Sequence, residues 1–171
     1  MNARMPETDV HERGRTLKAA IAARLDVVRY LEHGSAHRAA GLPCPDVDTC
    51  ALEADEEWRN AHGTTFTFDF DGWTLNLHYD SDGRFLHDTL DVFGHCTLNG
   101  FADVARPVDI AAAVAGAATF FLPDERVVLL PSGVTVHYRD DGDDAPVPTK
   151  ISGAALPYDT LADYYRSMRR R

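Results

Sequence analysis

The stretch from Thr64 to Val92 constrains this chain most. Phe66, Phe68 and Phe70 alternate with Thr65, Thr67 and Asp69. After Asp71-Gly72 the alternation resumes, with Trp73, Leu75, Leu77 and Tyr79 set between Thr74, Asn76 and His78. A period of two is the strand period, and it sends every second side chain to one face. Asp-Gly is a hairpin dipeptide, expected here in a type I′ turn. A two-residue turn pairs Phe70 with Trp73, Phe68 with Leu75, and Phe66 with Leu77, so the large apolar residues share one face. A slip of one residue would turn that whole set toward water, so pattern and turn specify the same register.

A second turn, Asp80-Ser81-Asp82-Gly83, leads into a third strand from Arg84 to about Val92. A four-residue loop there puts Leu86, Leu90 and Val92 on the core face, with the carboxylate of Asp88 among them. It also sets His87 opposite Asn76, diagonal to His78, on the polar face. The expectation is a three-stranded antiparallel meander, apolar on one side and polar on the other.

The flanks read as helices and one more hairpin. Leu17, Ile21, Leu25 and Val28 recur at steps of three and four, with Leu31 continuing. That spacing predicts an amphipathic helix, N-capped at Thr16 and stopped at His33-Gly34. The segment Gly41 to Thr49 holds two prolines and breaks structure, and Glu53 to Asn60 reads as a short helix or an irregular insert. Pro107 opens a second helix, taken to run through Ile110 to Leu122 and to end at Pro123. Val127–Leu130 and Val134–Tyr138 form a hairpin across Pro131-Ser132-Gly133, and Ile151 starts a short edge strand. Leu161, Tyr164, Tyr165 and Met168 give the last segment, from about Asp159, an apolar helical stripe.

The expected fold is α+β: an antiparallel sheet of a three-strand meander plus a hairpin, with three helices, in the order α-βββ-α-ββ-α. Residues 1–15 are polar and aperiodic and read as a flexible arm; 16–171 read as one domain. A chain of 171 residues suits one core, and 44% hydrophobic with 26% charged residues is an ordinary globular balance.

Charge divides the chain unevenly. Residues 1–40 hold seven basic and five acidic groups; residues 41–165 hold six basic and 22 acidic. The tail carries Arg166, Arg169, Arg170 and Arg171, and the formal total is −10. An acidic body repels phosphate, which argues against nucleic acid and for a basic protein partner. Three cysteines, Cys44, Cys50 and Cys96, with no secretory signal in the first fifteen residues, point to the cytoplasm. The longest uncharged apolar run, Ile110 to Pro123, is too short to span a bilayer.

No phosphate-binding, dinucleotide-binding, zinc-protease or serine-hydrolase motif is present. Phe68 to Leu75 resembles the nucleophile motif of haloacid-dehalogenase-type phosphatases, but Trp73 interrupts it and the segment turns straight back. The Asp80–Gly83 turn and the run Asp140, Asp141, Asp143, Asp144 suit turns and solvated loops more than calcium sites. His78 and His87, sharing a face with Asp69 and Asp91, form the best acid–base grouping in the chain. Cys44, Cys50, His95 and Cys96 lack standard zinc spacing. The expectation is a non-catalytic protein with no cofactor and no metal.

The alanine-rich segment after Pro107 carries a structural inference. From Ile110 to Leu122 it has no charged residue, and a helix that is apolar all round must be covered on both sides. Either the chain itself supplies the second cover or another subunit does. A twofold seam would use Ile110, Ala113, Val114, Ala117 and Phe121.

The element order, Gly41-Leu42-Pro43 after the first helix, and the strand Asp71-Gly-Trp-Thr-Leu-Asn-Leu-His-Tyr-Asp80 leading to Leu86 and Leu90 resemble class I type III secretion chaperones. The resemblance spans about residues 16–168. It implies a homodimer built on the second helix. It also implies a secreted effector whose unfolded segment lies over apolar grooves on the first helix and sheet, at Leu17, Ile21, Leu25 and Val28. Two alternatives stand beside it: an immunity protein that plugs a toxin's basic active site, and a small enzyme using the His/Asp grouping.

Overall fold

A computed structural model describes residues 17–93, 95–140 and 145–169. The chain is α+β, built on one eight-stranded antiparallel sheet. Its first four strands are β1 (Glu56–Asn60), β2 (Gly63–Phe70), β3 (Trp73–Asp80) and β4 (Phe85–Val92). The other four are β5 (Ala118–Phe121), β6 (Glu125–Leu129), β7 (Thr135–Arg139) and β8 (Val147–Ser152). Across the sheet they run β1-β2-β3-β4-β8-β7-β6-β5. The helices are α1 (residues 17–24), α2 (Val27–His33), α3 (Ala36–Ala39), α4 (Val47–Glu53), α5 (Pro107–Ala113) and α6 (Tyr158–Met168).

The hairpin register is the one the alternation dictates: Phe66↔Leu77, Phe68↔Leu75 and Phe70↔Trp73. Phe66, Phe68, Leu75, Leu77, Leu90, Val136 and Ile151 form the dry face of the sheet. Ile21, Leu25, Val27, Tyr30 and Leu31 cover it from the helical side. On the opposite face α6 lays Ala162 and Tyr165 over Phe120, Val127 and Leu129, making a second, smaller core. The part of that face formed by β1–β4 carries no helix among the described residues, which is why the alternate positions of β2–β4 are polar.

Several expectations need correction. The insert before the meander is a strand: β1 pairs with β2 from Glu56↔Thr67 to Asn60↔Gly63, so the meander has four strands. Every residue of β1 is exposed, which removed any alternation that would have marked it. The first helix is broken at Leu25–Asp26. Asp26 N-caps α2 through Oδ1, which accepts from the amides of Val28 (2.9 Å) and Arg29 (3.2 Å), while its backbone bridges to Asn99. The stop at Gly34 is as read, in the left-handed region at φ 78°.

The Asp71-Gly72 turn is not type I′, since Gly72 (φ 78°) is left-handed but Asp71 is not. Leu86 is not a core residue. A bulge between His78 and Tyr79 lets Phe85 take the place opposite Tyr79 and pushes Leu86 outward. Ile151 lies in a central strand, not an edge: β8 inserts between β4 and β7 and joins the two halves of the sheet. The alanine-rich helix stops at Ala113, and Ala118–Phe121 is strand β5. The arm at 1–15, Thr16 and Asp141, Asp143 and Asp144 lie outside the described residues.

Asp88 is the one buried carboxylate on the dry face among the described residues. Oδ1 accepts from the Tyr30 hydroxyl (2.6 Å) and Oδ2 from the amide of Ala36 (2.7 Å). Gly153 leaves the room this needs, since a Cβ there would stand 2.6 Å from Oδ1. Burial pushes the Asp88 carboxyl up to about 6, against the downward pull of its hydrogen bonds. The proton-linked part of its contribution is full below its unfolded pKa and is lost as pH rises through about 6, while its hydrogen bonds to Tyr30 and Ala36 remain above that pH.

Asp88→Ala strands a buried hydroxyl and a buried amide, and should cost about 2–5 kcal/mol in urea unfolding at neutral pH. Gly153→Ala overpacks the same point and should cost about 1–3 kcal/mol. Wild-type midpoints in both variants would refute this account of the helix–sheet junction.

Candidate functional site

A cleft opens where α2 faces the end of α5 and the β6–β7 turn. Val28, Leu31 and Glu32 form one wall, Ala113, Val114 and Ala115 the other, and Leu130, Pro131 and Ser132 the floor. Its volume is ≈ 400 Å³. A second hollow of ≈ 600 Å³ shares Val28 and Ala113 and adds Ala102, Asp103, Asp109 and Ala112.

Local sequence explains each wall. The Asp26 cap fixes where α2 begins, and Gly100 (φ 76°) keeps the opposing chain close to that carboxylate. Pro107 opens α5, and Arg106 grips Asp109 through two bonds of 2.9 Å. Ile110 anchors α5 in the core, fully buried, while Ala111, Ala112 and Ala113 face water. After Val114, Gly116 (φ 83°) turns the chain out of the helix and into β5. In the floor, Ser132 Oγ donates to the carbonyl of Leu31 (2.7 Å), tying the β6–β7 turn to the end of α2.

The residues singled out for contact scatter in an informative way. Ile21 and Leu25 are buried in the chain's own core and Leu17 packs against it, so they present no groove. Their apolar spacing serves the sheet, whose dry face needs a cover. Val28 is 42% exposed and lines the cleft. Of the proposed seam, Ile110 points inward, Ala113 and Val114 line the same cleft, and Ala117 sits in the turn before β5. Phe121 is 58% exposed on β5, between the guanidiniums of Arg126 (4.9 Å) and Arg169 (6.0 Å). A helix dry on every side does not exist here, so the argument for a twofold seam along it falls. The structure instead joins Val28 from one predicted set with Ala113 and Val114 from the other, 85 and 86 positions away. No sequence signal links them, because the cleft is made by tertiary packing.

The polar grouping is a ladder. Trp58, Thr65, His78 and His87 form one rung across β1–β4. His78 and His87 stand directly opposite, rings stacked at 4.5 Å, and not diagonal as the loop count predicted. Thr65 Oγ1 meets His78 Nδ1 at 2.9 Å, and Thr89 Oγ1 meets His78 Nε2 at 3.4 Å. The next rung, Thr67, Asn76 and Thr89, separates this pair from Asp69 and Asp91. Asn76 Nδ2 donates to Asp91 (2.8 Å) and Asn76 Oδ1 accepts from Thr67 (2.7 Å). The histidines and carboxylates thus sit two rungs apart, roughly 13 Å along the strands. Among the described residues no three His, Cys, Asp or Glu side chains gather to hold a metal. Cys50 lies against Tyr79 at one end of β3 and Cys96 beside Gly72 at the other.

Burial drives His78 down to about 4, helped by His87 and Lys150 and opposed by Asp91. Burial and then Lys150 lower His87 as well. Both imidazoles are therefore neutral at pH 7. The stabilising contribution of His78 is full above about 6.5 and is lost as pH falls toward 4, and that of His87 runs in the same direction. His78→Gln should shrink the loss of unfolding free energy between pH 7 and 4.5, measured by urea titration. An equal loss in wild type and variant would sink this assignment.

The chain matches no known family model, and no curated protein or solved structure is significantly similar to it.

Proposed function

We propose that this is a non-catalytic protein-binding protein whose ligand is a folded basic protein, in the manner of an immunity protein. The charge distribution carries the reading: 22 acidic against six basic residues over positions 41–165. Such a surface steers a cationic partner in and repels nucleic acid. The solvent-open cleft supports it by offering an apolar anchor beside the carboxylates of Glu32, Asp103 and Asp109. A secretion-chaperone role, in contrast, depends on a long apolar groove along the first helix. Ile21 and Leu25 are buried, and of that set only Val28 reaches the surface of the cleft. The free thiols of Cys44, Cys50 and Cys96 fit a reducing cytoplasm. No helix among the described residues is long and apolar enough to cross a membrane.

The test is titration of the purified protein against the product of the gene beside its own, at low and at moderate salt. A one-to-one complex with a partner that keeps its tertiary structure, weakened at least tenfold by the added salt, is the expected result. A partner that is held unfolded, with affinity indifferent to salt, would overturn it in favour of the chaperone role. Absence of binding at either salt would overturn protein binding to that neighbour altogether.

A further inference from the structure

We infer that the α2–α5 cleft seats a short segment of a basic protein in which an apolar side chain stands next to an arginine or lysine. The inference rests on the protein-binding reading and assigns it a place and a chemistry. The apolar half is set by Leu31 on the α2 wall and by Leu130 and Pro131 in the floor, around a space that Ala113 and Ala115 are too small to fill. The one hydroxyl lining it, that of Ser132, already donates to Leu31. That hydroxyl also accepts from the Val134 amide (3.4 Å), so away from Glu32 at the rim the lining gives an entering polar group little in return for lost water and favours an aliphatic or aromatic one.

The basic half is set by the adjoining hollow, reached past Val28 and Ala113. Asp103 lines that hollow and Glu32 the cleft, and neither has an ion-pair partner among the described residues. Asp109 also lines it but is held by Arg106. Two unneutralised carboxylates flank an apolar pocket, and a cation carried one or two residues from an apolar anchor satisfies both. Charge argues against a second copy as the occupant, since it would bring a body of the same sign against Glu32 and Asp103.

The probe is a fluorescein-labelled eight-residue peptide alternating leucine and arginine, read by fluorescence polarisation against the whole protein. Two control peptides replace leucine by serine or arginine by glutamate. Ala113→Trp fills the cleft from an exposed position, and Val28→Arg is a second block should the first variant fail to fold. Binding of the probe should fall at least tenfold in each folded variant, and at least tenfold with either control peptide. Equal binding of the serine control, or wild-type binding by a folded Ala113→Trp variant, would overturn the cleft assignment and leave only diffuse charge attraction. These arms are independent of the gene-neighbour titration. If that partner binds the folded Ala113→Trp variant as tightly as wild type, the cleft assignment fails while the protein-binding reading stands.

Discussion

Asp88 leaves β4 on its dry side and meets the helical layer at two points, the Tyr30 hydroxyl on α2 and the first amide of α3. That second bond does the work of an N-cap. Ser35 occupies the cap position but makes no side-chain cap bond, and its buried hydroxyl finds no partner. The sheet, not the local sequence, therefore fixes where α3 begins. The same residue reaches the other half of the sheet, because its carbonyl accepts from the Gly153 amide (2.8 Å) just after β8. The Gly34 carbonyl accepts from Ala154 (2.9 Å), so the end of α2 is stitched to that segment too. The position of α2 against β8 and the β6–β7 turn follows from this junction, and with it one wall of the cleft.

How much of this was legible differs by element, for physical reasons. The β2–β3 register could be read because a period of two and a two-residue turn each specify it alone. β1 could not, because an edge strand exposed on both faces has no reason to alternate. The segment after Pro107 misled for the opposite reason. Alanine is compatible with helix at every position, so composition gives no sign of where the helix stops. The helix ends where Val114 turns extended, Gly116 (φ 83°) redirects the chain into β5, and Phe120 and Phe121 then split between the second core and solvent, as strand neighbours do. Asp88 stood out as a carboxylate on an apolar face. Its partners, 52 and 58 residues away, are invisible to any local pattern.

The site was partly legible in the same sense. Val28 was selected because it continues an apolar stripe, and it is exposed because α1 ends and α2 starts anew at Asp26. The break turns α2 so that Val27, Tyr30 and Leu31 take the inward positions and Val28 is left outside. Ala113 was selected for smallness, and smallness is what leaves the cleft open. Both properties were on the chain; their meeting was not.

The edges of the sheet bear on how a partner can bind. An unpaired edge strand invites another strand, and such addition is a common mode of protein recognition. Here both edges resist it. β1 presents Glu56, Glu57 and Arg59 around a single exposed apolar side chain, Trp58, so it offers charge rather than an apolar face along its edge. β5 is four residues long, and Arg169 donates to the carbonyl of Thr119 (3.1 Å), occupying an acceptor that an incoming strand would need. The polar ladder on β2–β4 spends much of its hydrogen-bonding capacity within itself, from Thr65 and Thr67 through Asn76 to Asp91. The α2–α5 cleft differs on each count: its floor holds Leu130 and Pro131, Glu32 in its lining and Asp103 in the adjoining hollow have no ion-pair partner among the described residues, and no backbone needs to be exchanged to enter it. On the proposed protein-binding reading, side-chain insertion into that cleft is therefore favoured over strand addition.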